Sequence, residues 1–183
     1  VNARIVNEGT ITEGELVIEG ERIKGINVPA PSDATVFDAA GAYLIPGMID
    51  DQVHFRDPGL TEKGDIRSES LAAVFSGVTS TFDMPNVDPN TTTIDLLNDR
   101  NLLGANKSWT NYSYYFGATE TNLEEIKKLN PKETCGLKVF MGTSTGTLLV
   151  EDDFALEQIF EFCPVTIVTH CEDNETIKNN TVK

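Results

Sequence analysis

The stretch Pro46-Gly47-Met48-Ile49-Asp50-Asp51-Gln52-Val53-His54-Phe55-Arg56-Asp57-Pro58-Gly59 holds the densest chemistry of the chain: an apolar run that ends in a histidine, an arginine and turn residues. Residues two apart on a strand point to the same side, so Gln52 and His54 can address one point in space. An imidazole there can ligate a metal ion, whereas the neutral amide oxygen of Gln52 binds zinc more weakly than a ring nitrogen does. Arg56 offers a planar guanidinium fork, a shape that matches a carboxylate. Farther along, Asn86, Lys138 and His170 add an amide, an amine and the second of two histidines.

Each of these residues has an ordinary alternative. A lone His at a strand end can be a hydrogen-bonded rim residue. Lys138 stands between Leu137 and Val139, where a bare ammonium is costly to bury, so it can be salt-bridged or reach the surface along its stem. Arg56 can brace Asp57 or Asp50. Asn86 can cap a turn, because Pro85-Asn86 and Asp88-Pro89-Asn90 have turn chemistry. Cys171 beside His170 invites a nucleophile reading, yet no base partner can be named, and a buried thiol is the simpler expectation.

The elements that must position these groups fall into two patterns. Residues 1–45 read as a small β unit with strands Ala3 to Val6, Glu15 to Glu19, Arg22 to Asn27 and Ala34 to Asp38, turning at Asn7-Glu8-Gly9 and Glu19-Gly20-Glu21. From there, over residues 46–183, strand and helix signals alternate, which favours a parallel sheet with crossover helices. Strands are expected at Leu44 to His54, Val78 to Met84, Asn111 to Phe116, Gly136 to Met141 and Val165 to His170. Helices are expected near Arg67 to Phe75, Ile94 to Ala105, Leu123 to Leu129 and Asp153 to Phe162, the last with Phe154, Ala155, Ile159 and Phe162 on one face. This α/β pattern fits either a doubly wound sheet or part of a (β/α)8 barrel, and spacing alone does not choose. His54, Arg56, Asp83, Asn86, Lys138 and His170 fall at or just after strand ends, where both folds place ligands.

Composition narrows the class. With 183 residues, 39% hydrophobic and 23% charged, the chain suits a soluble domain with a real core. A net charge of -15 argues against nucleic acid or an anionic membrane as partner, because both would repel it. The 3 cysteines, Cys135, Cys163 and Cys171, lack CxxC spacing, so neither a disulfide framework nor a structural zinc site is expected, and a reducing cytoplasm is. No apolar run reaches the roughly 18 residues of a membrane span and no secretory leader opens the chain. Val1 is not a start methionine, so the natural N-terminus is expected upstream.

Four strings in order carry a family resemblance: His54-Phe55-Arg56-Asp57-Pro58-Gly59-Leu60-Thr61-Glu62-Lys63; Gly77-Val78-Thr79 leading to Asp83-Met84-Pro85-Asn86; Gly136-Leu137-Lys138-Val139-Phe140; and Thr169-His170-Cys171-Glu172-Asp173. Together they closely resemble dihydroorotase, of the metal-dependent amidohydrolase superfamily. The resemblance implies a (β/α)8 TIM barrel, of which about five strands are present, preceded by part of a small β-sandwich. It implies reversible hydrolysis of dihydroorotate to carbamoyl aspartate in pyrimidine synthesis, with hydantoinase, dihydropyrimidinase or allantoinase chemistry as the neighbouring option. Position by position, His54 matches the second histidine of a His-x-His metal pair and His170 a ligand of a second metal. Lys138 matches a lysine carboxylated by carbon dioxide that bridges two zinc ions, and Arg56 and Asn86 match the pair that holds the substrate carboxylate. A homodimer, and an association with aspartate transcarbamoylase, are the implied partners.

Two departures stand out. Gln52 replaces the first histidine of the pair, so the first metal site should be weak or empty. That opens a rival reading as a non-catalytic, dihydroorotase-like scaffold. The sequence also ends at Lys183, whereas a barrel needs eight strands and roughly 250 residues. The proton-shuttle aspartate and a further histidine ligand are therefore expected beyond Lys183, and the chain alone is expected to be inactive.

Overall fold

Five parallel strands lie side by side in unbroken sequence order: β6 (Met48–Val53), β7 (Val78–Asp83), β8 (Asn111–Gly117), β9 (Gly136–Phe140) and β10 (Ile167–His170). The structure, a computed structural model, describes residues 1–142 and 147–181. Each strand neighbours its predecessor, and the connections carry α1 (Ile66–Phe75), α2 (Ile94–Lys107), α3 (Leu123–Ile126) and α4 (Asp153–Phe162). A doubly wound sheet would reverse its strand order at a switch point; this one never reverses, as in a barrel that winds in one direction. The sheet is the incomplete (β/α)8 arrangement.

Contacts divide the chain into two compact units, Val1–Gly47 and Met48–Lys183. In the first, β1 (Ala3–Asn7) pairs antiparallel with β2 (Thr10–Gly14) and parallel with β5 (Tyr43–Leu44), while β3 (Leu16–Glu19) and β4 (Arg22–Ile26) form a separate hairpin. The β1–β2 turn sets Glu8 at φ 47° and Gly9 at φ 76°, the paired left-handed geometry that two-residue hairpins need. The expected strand Ala34 to Asp38 does not form. Its backbone meets β1's end of the chain through Val1 N to Phe37 O at 2.7 Å and, just beyond it, Ala39 N to Val1 O at 2.9 Å, which is too little for a ladder. The expected strand Leu44 to His54 is two strands, split at Pro46-Gly47, where proline supplies no donor.

The core of the second unit joins Phe55, Ile66, Leu97, Tyr114, Phe116, Ile126, Leu137, Val139 and Ile159. Helix starts are fixed locally. Asp65 caps α1 in a reciprocal box with Ser68, and the Thr93 hydroxyl accepts from Leu96 N at the start of α2. On α2, Leu97, Arg100 and Gly104 point inward. Gly104 sits so close to β8 that a Cβ there would lie 2.5 Å from the Tyr112 ring. A further helix, α5 (Asn174–Thr181), follows His170, and none was expected there. Among the described residues no helix is long and apolar enough to cross a membrane.

Candidate functional site

The apolar run of β6 stops at Val53, and the turn after it is held from below by two buried carboxylates. Asp83, the last residue of β7, accepts from Phe55 N at 3.2 Å. Asp57 accepts from Ile66 N at 3.4 Å and pairs with Lys107 at 2.7 Å, which fastens the turn to both α1 and α2. The constraint leaves Arg56 at φ 65°, a left-handed conformation that costs an arginine roughly 1 kcal/mol or more. Its guanidinium is thereby brought back over the neighbouring loop, with Nη1 3.5 Å from the Asn86 carbonyl, a contact too long to bind strongly. His54 Nδ1 meets Asn86 Oδ1 at 2.9 Å. His54, Arg56 and Asn86 thus form one group across the ends of β6 and β7. Arg56 braces neither Asp57 nor Asp50 by an ion pair among the described residues.

With Asn86 Oδ1 as acceptor, His54 carries its proton on Nδ1. That arrangement leaves the lone pair of Nε2 available, and leaves the Asn86 NH2 free to donate elsewhere. His54 as a residue is exposed, yet enough protein surrounds the ring that lost hydration lowers its pKa below 6.5; the Asn86 bond opposes the shift, and Arg56 and Lys138 add to it. Between the lowered value and 6.5 the unfolded chain binds more protons at His54 than the folded one, so stability rises with pH across that window and levels off above it. Denaturant midpoints should therefore fall as pH drops below 6.5, and His54→Gln should flatten part of that fall; an identical profile in the variant would refute the linkage.

Lys138 lies in the middle of β9, not at its end as expected, and is 3% exposed. It neither reaches the surface nor pairs with a carboxylate among the described residues. Its polar end has an aromatic face for company, the Phe140 ring, 5.1 Å from Nζ. Burial lowers its pKa, so the neutral amine is more accessible than in an ordinary lysine. His170 stands on the adjacent strand in register with Phe140, its ring 6.2 Å from that of Phe140, and its Nε2 is 3.3 Å from Glu172 Oε1. Phe140 therefore lies beside both Lys138 and His170.

The remaining candidates behave differently. Gln52 is exposed, and its backbone N–H is tied to Asp50 Oδ1 at 3.1 Å. The β6–β7 register slips between Asp50 and Val53, so strict alternation of faces does not carry through Asp51 and Gln52. Cys171 is exposed rather than buried, with Sγ 3.6 Å from Met141 Sδ. Among the described residues no three His, Cys, Asp or Glu side chains are grouped to hold a metal ion. The donor set that the resemblance implies differs from such a group in including Lys138, which is none of these residue types.

A buried ion pair beneath the group went unanticipated. Asp83 Oδ2 and Arg100 Nη2 are 2.5 Å apart, with side chains 3% and 2% exposed. Burial pushes the Asp83 carboxyl up to about 6 against the pull of Arg100. An arginine on a helix reads as a solvated charge; the spacing Leu97, Arg100, Gly104 along one face is the signal that could have found it.

No protein-family model matches the chain. It is 30% identical to L-hydantoinase of Paenarthrobacter aurescens over 96% of its length and 40% of that protein. It is 33% identical to dihydroorotase of Methanosarcina mazei over 95% of its length and 39% of that protein. Among solved structures, a D-hydantoinase superposes with a TM-score of 0.81 at 27% identity, covering 99% of this chain and 41% of that one. The chain spans about two fifths of the length of these relatives.

Proposed function

Because the chain belongs to the amidohydrolase superfamily, whose members are generally metal-dependent, we propose that it carries part of a dihydroorotase site, which opens dihydroorotate reversibly to carbamoyl aspartate. One observation supports the choice of substrate: Arg56 and Asn86 converge beside His54 and present only donors. The Asn86 oxygen is engaged by His54, which leaves its NH2 and the Arg56 guanidinium as the donors of the same cluster, a pairing suited to a carboxylate. Dihydroorotate has that carboxylate, while hydantoin and dihydropyrimidine rings do not. Anchoring it fixes which ring carbonyl is presented for attack.

The chain's own groups fit a metal on chemical grounds. His54 has a free Nε2 in its bonded tautomer. Lys138 is buried without a counter-charge among the described residues, the state that favours neutral amine. A neutral amine adds carbon dioxide at nitrogen and releases one proton, giving an anionic carbamate. His54 and carboxylated Lys138, with Gln52 as a weak donor, would hold a first zinc, and His170 with the same carbamate would hold a second. When bound, zinc supplies Lewis acidity toward the amide carbonyl and acidifies water.

Gln52 favours a second reading, the non-catalytic scaffold, and the hydantoinase relative favours a third, a cyclic amidohydrolase without carboxylate preference. The full-length protein, supplied with zinc and bicarbonate, should open dihydroorotate and leave hydantoin largely intact, and Gln52→His should raise its metal content. Preference for hydantoin would replace the substrate assignment. Absence of turnover in metal-loaded Gln52→His would establish the scaffold.

A further inference from the structure

We propose that Arg100 and Asp83 are positioning residues, a buried pair that locks the His54–Arg56 turn and the Asn86 loop to each other. The proposal rests on the dihydroorotase reading only for what those three groups do; the locking itself is a statement about geometry.

Asp83 uses both oxygens: Oδ1 accepts from Phe55 N, between His54 and Arg56, at 3.2 Å, and Oδ2 takes the Arg100 guanidinium at 2.5 Å. Arg100 Nη1 then donates to Met84 O at 2.9 Å and to Thr91 Oγ1 at 3.3 Å. Those two acceptors bracket the loop that carries Asn86, and Thr91 N closes it onto Pro85 O at 3.1 Å. One guanidinium and one carboxylate therefore bind both ends of the Asn86 loop and the middle of the His54 turn. Arg100 is 1% exposed, Asp83 2% and Thr91 0%, so water does not compete for these bonds.

A plain structural role accounts poorly for the arrangement. Apolar side chains of equal volume usually serve stability as well as a buried ion pair or better. Here desolvation disfavours the charge on both partners, and Arg100 Nε is buried without a hydrogen-bond partner among the described residues. What apolar packing cannot supply is direction. The Tyr114 ring on β8, its centroid 4.2 Å from the guanidinium carbon, packs against the fork while Nη1 and Nη2 reach their separate acceptors.

The test uses ring nitrogen NMR on the metal-free full-length protein at fixed pH. His54→Gln and His170→Gln assign the imidazole signals of these two residues. Wild-type His54 should show the Nδ1-protonated tautomer held by Asn86. Arg100→Lys keeps the charge but loses the fork, and should lose that tautomer in favour of the mixture of a free imidazole while the His170 signals stay in place. Thr91→Val removes one acceptor from the same lock and should act in the same direction with the fold intact, so it decides the matter if Arg100→Lys does not fold. An unshifted His54 tautomer in folded Thr91→Val or Arg100→Lys overturns the proposal. The readout needs no turnover: a protein that fails to open dihydroorotate would sink the functional reading and leave this test standing.

Discussion

Lys138→Met should make the metal-free protein more stable and the metal-supplied protein inert. Lys138 is 3% exposed, lacks a carboxylate partner among the described residues and has its pKa lowered by burial. Such a group pays a desolvation penalty that methionine, similar in length and apolar, avoids. The contact with the Phe140 ring at 5.1 Å returns part of that penalty, about 0.5 to 2 kcal/mol, so the expected net gain is modest, about 1 kcal/mol. Function moves the other way. Without an amine there is no carbamate, and His54 and His170 are left without the anionic oxygens proposed to complete the zinc site. Zinc content measured after dialysis should drop, and ring opening should fall below detection. Lys138→Arg serves as the control: it keeps a cation, cannot form the carbamate, and should lose zinc without gaining stability. Retained zinc and turnover in Lys138→Met would remove Lys138 from the site.

How much of this was legible beforehand depends on what kind of interaction decides each feature. Strand β8 is expected at Asn111 to Phe116 and found at Asn111–Gly117, and α4 is found at its expected bounds, because local composition and spacing mark both; the expected apolar face of α4 is buried at Ile159 but exposed at Phe154 and Phe162. The choice between a barrel and a doubly wound sheet is not local; it lies in strand order, which spacing does not encode. In the small unit, β2 is exposed along nearly its whole length and shows no alternation, so its only reason to be a strand is its partner β1. The meeting of His54, Arg56 and Asn86 follows from motif order. The support beneath them does not, since Arg100 declares its burial only through the company it keeps on α2.

Arg56 separates binding from folding most sharply. The left-handed backbone at φ 65° is a cost the fold carries for a side chain that makes no strong bond in return among the described residues, its guanidinium lying 3.5 Å from the Asn86 carbonyl. Arg56→Gly removes both the strain and the fork. Its stability should stay within about 1 kcal/mol of wild type, because relief of strain offsets the flexibility glycine adds to the unfolded chain. Substrate recognition should collapse. Deleting one partner of a desolvated charge pair costs about 2 to 5 kcal/mol, so kcat/KM for dihydroorotate should fall at least about 30-fold. A ring without a carboxylate gains nothing from Arg56, and whatever slow hydrolysis of hydantoin the protein has should be unchanged. The discrimination between the two substrates therefore shrinks by the full factor lost on dihydroorotate. Equal losses on both rings would mean that Arg56 shapes the turn and not the substrate, and a large loss of stability would say the same.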